Sequence, residues 1–392
     1  MNILFVLRYL NAGGVEIVTS VLANKFVKEG HTVGIFAFEK RTGRLQEKLN
    51  PTIPVTVGGK YAVNINNIKL LRKLLIDRNI DIIINQWGLP LIPIITINKA
   101  RKNLKIKLIS VYHNDPLFNG RIQKIQEKMS SSQNSLRRGI LSLQLKIAHL
   151  VTSFSMRYNY NHCDCYEVLS PSYIQHFISF TGVEDTTKLI AQANPIAFGA
   201  DSYVYEGSNK KNNLIYVGRI DSIQKMVRRV VDTWFLLESD YPDWHLTIVG
   251  DGPELDSLKQ YTKEKELNNV SFTGFVDPRR YYEQGTFLLL TSSFEGLPLV
   301  VPEAMSYGVI PCCYASFSSV YDMIDDGNNG ILVTCEKSGY NPSVMASRLR
   351  DVMDHKERRD VMANNAIRKS KSFSIDNIYT QWNKVMTTLL SC

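Results

Sequence analysis

The sequence lacks the marks of several protein classes. It contains no uninterrupted apolar run of about 18 residues, the length that a transmembrane helix needs, so we expect none. The apolar start, residues 1–7, has neither the basic beginning nor the cleavage site of a signal peptide. The six cysteines are spaced neither as a disulfide framework nor as zinc ligands. We therefore expect a cytoplasmic protein with reduced thiols.

Size and charge narrow the remaining classes. A chain of 392 residues is too long for one core and predicts two domains of roughly 150–200 residues each. The formal net charge of +9 attracts phosphate groups, whether on nucleic acid, anionic lipid or a small molecule. The basic residues are scattered and no recognition motif accompanies them, so we expect no nucleic-acid partner.

Short apolar segments alternate with helical segments in both halves of the chain. Predicted strands in the first half are residues 3–7, 31–38, 80–85 and 106–112. After a polar stretch at 196–213 the alternation resumes, with predicted strands at 214–218, 245–250, 287–291 and 309–313. Such alternation is typical of a parallel sheet covered on both faces. We predict an α/β fold with two doubly wound, Rossmann-like domains that face a central cleft.

Ligands of open α/β sheets bind beyond the carboxyl ends of the strands. Polar loops follow the predicted strands at 8–14, 113–116, 218–225 and 292–298, and all but the second contain glycine. The glycines of "NAGGVE" (11–16) stand at a strand-to-helix turn, where helix N–H groups can cradle a phosphate. Their spacing is not GxGxxG, so a nicotinamide or flavin site is not expected. A tight turn that merely needs glycine is the alternative.

Two cations and a histidine stand in these loops. Arg219 and Lys225 in "GRIDSIQK" could neutralise a diphosphate, or they could be two ordinary surface cations. No two aspartates lie two positions apart, so the DxD metal clamp of divalent-dependent sugar transfer is missing. His113, at the end of a strand, could donate a hydrogen bond to a ligand or simply cap the strand.

Two glutamates stand among apolar residues in "EGLPLVVPE" (295–303). Because proline favours the first turn of a helix, Pro298 places Glu295 in a loop and Glu303 inside the helix that follows. A carboxylate accepts hydrogen bonds from vicinal hydroxyls, and apolar walls strengthen those bonds. Acid–base hydrolysis by the pair is the alternative, but it leaves the neighbouring cations and glycines unexplained.

These elements together resemble a known family, the retaining glycosyltransferases of the GT-B fold, of the group 1 or family 4 type. The family includes bacterial lipopolysaccharide, capsule and exopolysaccharide glycosyltransferases. The resemblance covers nearly the whole chain and rests on five elements in order: "GGVEIVTSVLANKFVKEGHTV", "YVGRIDSIQK", "LTIVGDGPELDSL", "VSFTGFV" and "EGLPLVVPEAMSYG". It implies an N-terminal acceptor-side domain at 1–198, a donor domain at 199–373, and a C-terminal helix at about 374–392 that packs back on the first domain.

The resemblance also implies a reaction and a role for each candidate residue. Arg219 and Lys225 would hold the donor's diphosphate as the glycosidic bond breaks, and Glu295 would contact the transferred sugar. The other donor contacts would be Glu303 to the ribose, the N–H groups of Gly296 and Leu297 to the sugar, the backbone of Phe275 and Val276 to the base, Gly14 to the diphosphate, and His113 to the sugar. Transfer would be metal-independent, without a cofactor, from a UDP-sugar in preference to a GDP-sugar. The acceptor would be a glycan or a lipid-linked glycan in cell-surface polysaccharide biosynthesis.

Two residues depart from the family pattern. Met226 stands where the family often has glycine, and Pro302 stands inside the predicted helix, where it removes a backbone hydrogen bond. Two other functions fit part of the pattern. A non-catalytic partner of another transferase would keep the nucleotide-sugar pocket, and a sugar-phosphate isomerase of related fold would need acid–base residues in place of the cations.

Residues 121–151 suggest a membrane surface as a further partner. The segment carries six Lys or Arg against one Glu, and its second part has Leu and Ile at helical spacing. A basic amphipathic helix of this kind can rest on anionic lipid at the inner face of the cytoplasmic membrane. The alternative is that Leu141, Leu143, Leu145 and Ile147 pack the helix on the first sheet.

Overall fold

The computed structural model describes residues 1–10, 13–40, 48–118, 120–198, 205–336 and 338–391, without the side chains of Arg121 and Glu127. Asn11 and Ala12 of the glycine-bearing loop, residues 199–204 of the polar stretch, and Cys392 lie outside the described residues. The chain forms two compact units. The first comprises Met1–Ala197 with Ile375–Cys392, and the second comprises Phe198–Ser374.

The first unit is built on a parallel sheet in the order β3-β2-β1-β4-β5-β6-β7. The strands are β1 (Asn2–Tyr9), β2 (Thr32–Glu39), β3 (Val55–Val57), β4 (Ile82–Asn85), β5 (Lys107–Tyr112), β6 (Cys165–Val168) and β7 (Leu189–Ala191). The helices are α1 (Gly14–Lys28), α2 (Ile65–Asp77), α3 (Leu91–Ala100), α4 (Gly120–Ser130), α5 (Ser135–Asn161) and α6 (Ser172–Thr181). The central strands read as unbroken apolar runs because both of their faces are buried: Ile3–Leu7 and Ile82–Ile84 have no exposed surface.

The second unit repeats the design on a parallel sheet in the order β10-β9-β8-β11-β12-β13. The strands are β8 (Asn213–Val217), β9 (His245–Val249), β10 (Val270–Gly274), β11 (Phe287–Leu290), β12 (Ile310–Ala315) and β13 (Ile331–Thr334). The helices are α7 (Arg228–Phe235), α8 (Leu255–Glu264), α9 (Arg279–Gln284), α10 (Val300–Ser306), α11 (Val320–Met323), α12 (Pro342–Met353) and α13 (Lys356–Ser370). Tyr216, Trp234 and Phe287 are buried in its core.

The last helix, α14 (Ile375–Ser391), belongs to the first unit. Its buried residues Ile378, Trp382 and Met386 recur every fourth position and so line one face. This face packs on α1, where the rings of Phe26 and Trp382 lie 6.1 Å apart and Lys25 pairs with Asp376 at 2.5 Å.

Proline 302 does not disturb its helix. Because α10 begins at Val300, Pro302 lies in the first turn, where backbone N–H groups have no intrahelical partner. Glu303 N–H donates to the Leu299 carbonyl at 2.9 Å, so the helical ladder starts directly after the proline. The expected loss of a hydrogen bond therefore has no consequence here, and Glu295 and Glu303 lie in the loop and the helix as predicted.

Cysteines 163, 165, 312, 313 and 335 are free thiols. Among the described residues, none of the helices combines the length and the hydrophobicity that crossing a bilayer requires.

Candidate functional site

The loops after β8 and β11 join in a buried ion pair. Lys225 Nζ lies 2.6 Å from Glu295 Oε1, with side chains 17% and 5% exposed. Glu295 Oε1 also accepts from Ser292 Oγ at 2.6 Å, and its Oε2 accepts from Gln224 Nε2 at 3.2 Å. Lys225 is therefore not an ordinary surface cation. The pair holds a carboxylate and an ammonium in fixed positions at the carboxyl end of the second sheet.

Aspartate 221 organises the loop that carries both cations. Its Oδ1 accepts the N–H groups of Ile223, Gln224 and Lys225 at 3.0, 2.6 and 3.2 Å, and its Oδ2 accepts from Arg219 Nε at 2.9 Å. Burial raises the pKa of Asp221, but the backbone hydrogen bonds and the charge of Arg219 outweigh it and leave the pKa below the usual value. Sequence reasoning missed this residue. Asp221 lies two to four positions before the residues whose N–H groups it accepts, and this spacing is typical of a turn.

Arginine 219 remains accessible while it is held. Its side chain is 61% exposed, and only Nε is engaged by Asp221 at short distance, since Nη2 lies 3.5 Å from Gln224 Oε1. The guanidinium can therefore turn its remaining N–H groups towards an anion. Met226, the next residue after Lys225, has φ +51°, a left-handed conformation that costs a side chain roughly 1–2 kcal/mol. A glycine at this position, as the family often has, adopts it without strain.

Glycines bring the loops after β8, β9 and β10 into close contact. Gly218 N–H donates to the Val249 carbonyl, and Gly250 N–H donates to the Gly274 carbonyl, both at 3.0 Å. Gly250 has φ +148°, and a Cβ there would lie 1.8 Å from the Gly218 carbonyl oxygen. Only glycine fits this crossing.

Glutamate 303 points into a buried environment beside tyrosine 282. Tyr282 Oη donates to Glu303 Oε2 at 3.4 Å. The pKa of Tyr282 is raised, mainly by burial and then by the charge of Glu303.

The backbone contacts assigned to the donor lie in two other segments. Ser319 Oγ donates to the Gly296 carbonyl at 2.8 Å, which fixes the backbone beside Leu297. Beyond β10, Phe275 is 89% exposed and Val276 is also exposed. The described residues contain no group of three or more His, Cys, Asp and Glu that could hold a metal ion.

His113 lies in the first unit, at the end of β5, in a row of hydrogen-bonded side chains. Its Nε2 lies 2.5 Å from Gln86 Oε1 and its Nδ1 lies 3.3 Å from Asn194 Nδ2. Burial lowers the pKa of His113 to about 4, so the ring is neutral near pH 7; Nε2 donates and Nδ1 accepts. A ligand hydroxyl at either nitrogen would have to replace one of these partners.

Gly14 opens helix α1 and is exposed, as a ligand contact requires. The buried Glu16 carboxylate lies against the preceding glycine: a Cβ on Gly13 would lie 2.3 Å from Glu16 Oε2. Burial raises the pKa of Glu16, while hydrogen bonds from its own N–H and that of Gly13 lower it. The start of α1 therefore already holds one carboxylate.

Two family models match the chain. The model described as Glycosyl transferases group 1 matches residues 204–369, and that described as Glycosyltransferase Family 4 matches residues 12–191. Among curated proteins, the chain is similar to the GalNAc-α-(1→4)-GalNAc-α-(1→3)-diNAcBac-PP-undecaprenol α-1,4-N-acetyl-D-galactosaminyltransferase of Campylobacter jejuni. The two are 27% identical over 400 residues, which cover 98% of each.

Solved structures resemble the chain over its whole length. The apo lipopolysaccharide outer core galactosyltransferase WaaB has a TM-score of 0.70 at 19% identity and covers 99% of both chains. Anabaena HepE in complex with UDP-glucose has a TM-score of 0.73 at 17% identity and covers 99% of this chain and 100% of its own.

Proposed function

The chain belongs to the group 1 glycosyltransferases, retaining and metal-independent enzymes of the GT-B fold that use nucleotide sugars, and from this we propose that it transfers a sugar from a UDP-linked donor to a lipid-linked glycan. The family settles the reaction class, whereas the donor nucleotide and the acceptor are the proposal. HepE was solved with UDP-glucose, and the Campylobacter jejuni relative is named for an undecaprenol-linked acceptor.

The buried Lys225–Glu295 pair carries the assignment of the site. A diphosphate that reaches Lys225 meets a charge already fixed by Glu295, with the accessible Arg219 on the same loop. Fixed cations stabilise the charge that develops on the leaving diphosphate without reorganising during the reaction. We assign Glu295 to a hydroxyl of the transferred sugar, since its oxygens are aimed by Ser292 and Gln224.

The remaining donor contacts follow from position. We assign the buried Glu303 carboxylate to the ribose hydroxyls, where Tyr282 supports it. The N–H groups of Gly296 and Leu297 would contact the sugar, and the exposed segment at Phe275 and Val276 would contact the base. In the first unit, Gly14 stays assigned to the diphosphate and His113 to the sugar.

A donor screen tests the proposal. The protein is incubated with UDP-Gal, UDP-GalNAc, UDP-Glc, UDP-GlcNAc or GDP-Man and a polyprenyl diphosphate-linked oligosaccharide, and nucleotide release and product mass are measured. We expect release of UDP and a product one sugar longer. An excess of EDTA is included, and we expect activity to stay within about threefold. Transfer from GDP-Man alone, or transfer only to soluble glycans, would contradict the proposal.

Helix α5 suggests how a lipid-linked acceptor is reached. An apolar row lies on its exposed face, with members three and four residues apart: Leu136, Ile140, Leu143, Ile147, Leu150 and Phe154. Of the residues expected to pack on the sheet, Leu141 is buried, whereas Leu143 and Ile147 are 60% and 47% exposed. Packing on the sheet therefore accounts for only part of the helix.

We propose that this apolar row rests in the headgroup region of an anionic membrane, at the inner face of the cytoplasmic membrane. The basic residues around the row are exposed: Lys124, Lys128, Arg137, Arg138 and Lys146. Each basic residue near an anionic surface contributes about 1 kcal/mol, so the group can hold the protein reversibly. Flotation with anionic and neutral vesicles at low and high salt tests this. We expect salt-sensitive binding to anionic vesicles, and equal, negligible binding to both would refute it.

A further inference from the structure

Three aromatic rings surround one arginine at the carboxyl edge of the first sheet. The Arg8 guanidinium lies 4.4 Å from the ring centre of Tyr61, 5.5 Å from that of Tyr9 and 5.9 Å from that of Trp87. Arg8 and Tyr9 end β1, Glu39 ends β2, and Tyr61 and Trp87 follow β3 and β4. We call this cluster of Arg8, Tyr9, Glu39, Tyr61 and Trp87 the aromatic edge.

Several buried polar atoms of this region have no hydrogen-bond partner among the described residues. They are Trp87 Nε1, Tyr61 Oη, Arg8 Nε, Glu39 Oε2 and, beside the cluster, Gln86 Nε2. Arg8 Nε and Glu39 Oε2 lie 3.5 Å apart, which is an ion pair but too long for a good hydrogen bond. More than about 90% of buried polar groups in proteins are paired, so several unpaired ones at one edge call for an explanation.

Stabilisation of the fold does not explain the cluster. In the second unit Lys265 lies 4.1 Å from the ring centre of Phe235 and Arg228 lies 3.6 Å from that of Tyr261, and these cation–aromatic pairs leave no buried donor unpaired among the described residues. The aromatic edge differs by combining three rings around one cation with buried donors and an acceptor that lack a hydrogen-bond partner among the described residues. That combination is typical of a ligand site.

The chemistry fits a pyranose ring. The C–H face of a sugar packs on aromatic rings, and its hydroxyls accept from N–H and O–H donors and donate to a carboxylate. Arg8 and Glu39 offer both kinds of partner side by side, with side chains 34% and 28% exposed. A phosphate is disfavoured because the Glu39 carboxylate would repel it.

We propose that the aromatic edge binds a pyranose unit of the glycan acceptor. The identification of that glycan as the acceptor rests on the proposed function, whereas the binding of a sugar here does not. Trp87 and Tyr61 supply the surface on which the sugar ring stacks. Arg8 donates hydrogen bonds to sugar hydroxyls and Glu39 accepts from them, so the two residues favour sugars whose hydroxyls point towards both.

The test measures sugar binding without a donor. The probes are methyl α-galactoside, methyl α-N-acetylgalactosaminide and the disaccharide GalNAc-α-1,4-GalNAc, followed by saturation-transfer NMR and tryptophan fluorescence. We expect Trp87→Ala and Tyr61→Ala to weaken binding about tenfold or more, with Trp87→Phe intermediate because it keeps a ring. Phe235→Ala, which removes a half-exposed ring from the second unit, is the matched control and should bind sugar like the wild type. UDP affinity should stay within about twofold in all variants.

The outcomes separate this inference from the proposed function. Sugar binding weakened about tenfold or more in folded Trp87→Ala, or weakened to an intermediate degree in Trp87→Phe if the alanine variant does not fold, supports the inference even where no transfer is seen. Unchanged binding and unchanged acceptor KM in that variant overturn the inference and leave the transferase function standing. Absence of binding of every probe to the wild type also overturns it.

Discussion

The two units differ in whether their buried polar side chains have hydrogen-bond or ion-pair partners. In the second unit the candidate donor residues pair with one another, as Lys225 does with Glu295 and Arg219 with Asp221. Eleven buried side-chain atoms lack a hydrogen-bond partner in the described part of the chain, and all lie in the first unit. They belong to Arg8, Glu39, Tyr61, Gln86, Trp87, Tyr112, Asp115, Gln123, Asn159, Glu167 and Gln192.

This difference in pairing indicates which kind of ligand each unit can bind. Fixed, mutually paired charges suit a ligand of constant chemistry such as a nucleoside diphosphate, because they need no rearrangement when it arrives. Unpaired buried donors and acceptors suit a ligand that completes them, and they leave the free protein with a penalty of about 1–3 kcal/mol per group.

The largest effects are expected where the Lys225–Glu295 and Arg219–Asp221 ion pairs are broken. Arg219→Ala and Lys225→Ala should each lower turnover roughly 10²–10³-fold, because each removes a fixed charge beside the leaving diphosphate. The exposed Arg219 should contribute little to the free energy of unfolding. Lys225→Ala should destabilise the protein by about 3–5 kcal/mol, because it leaves the Glu295 carboxylate buried without its cation. Steady-state kinetics and denaturant unfolding measure the two effects.

A double variant serves as the control. Adding Glu295→Gln to Lys225→Ala removes the uncompensated charge, so stability should recover while activity stays low. Near wild-type turnover in the single variants would show that the diphosphate is held elsewhere.

The next largest effect is expected where the loops after β8 and β9 cross. Gly250→Ala forces a Cβ onto the Gly218 carbonyl oxygen and should lower the free energy of unfolding by about 3 kcal/mol or more. Gly274→Ala is the matched control, because Gly274 has φ +71° with open space around its Cβ position and should lose only about 1 kcal/mol. Equal melting temperatures for the two variants would mean that the loops can move apart freely.

Membrane binding by the first unit can be tested on α5. Leu143→Ser with Ile147→Ser removes two members of the apolar row and should weaken binding to anionic vesicles roughly tenfold or more. Ile65→Ser, at a residue 61% exposed on α2, is the control and should leave binding unchanged. If both variants float like the wild type, lipid contact does not involve α5.

A smaller effect is expected at His113, which lies in a hydrogen-bonded row with Gln86 and Asn194. The pKa of His113 is about 4 in the folded protein, below its ordinary value, so the folded state binds fewer protons than the unfolded state between about pH 4 and 6.5. Stability should therefore fall as the pH falls through that window, by up to about 2 kcal/mol at pH 5. His113→Gln should lose less stability than the wild type between about pH 7 and 5, measured by urea unfolding. An identical loss in both proteins would mean that other groups dominate.

Much of the fold was predictable because the interior strands carry their signal locally. The segments at 3–7, 106–112, 214–218 and 287–291 are strands within two residues of the predicted bounds, since burial on both faces demands an unbroken apolar run. The family and the retaining nucleotide-sugar reaction predicted from the five motifs are confirmed. The individual site roles stay predictions.

Five strands, β3, β6, β7, β10 and β13, were not predicted from the sequence. β3 and β7 have three residues each, too short for periodicity to identify, and the other three are segments of four or five residues that each include a polar residue. The unpaired atoms of the aromatic edge could not be foreseen either, because Arg8, Glu39, Tyr61 and Trp87 are distant in sequence and only the strand order β3-β2-β1-β4 makes them neighbours. Asp221 alone carried a local signal that was overlooked.

The return of the chain to its first unit has a consequence for protein synthesis. The second sheet is complete once residue 374 has been made, but the first unit waits for the 17 residues of α14. Until then Phe26 on α1 lacks the ring of Trp382, and an apolar face that the finished protein buries is open to the solvent. A ribosome that stops before α14 therefore releases a chain with a finished second unit and an unfinished first unit, recognisable to chaperones and proteases by that face. The stability of the first unit therefore depends on α14 having been translated.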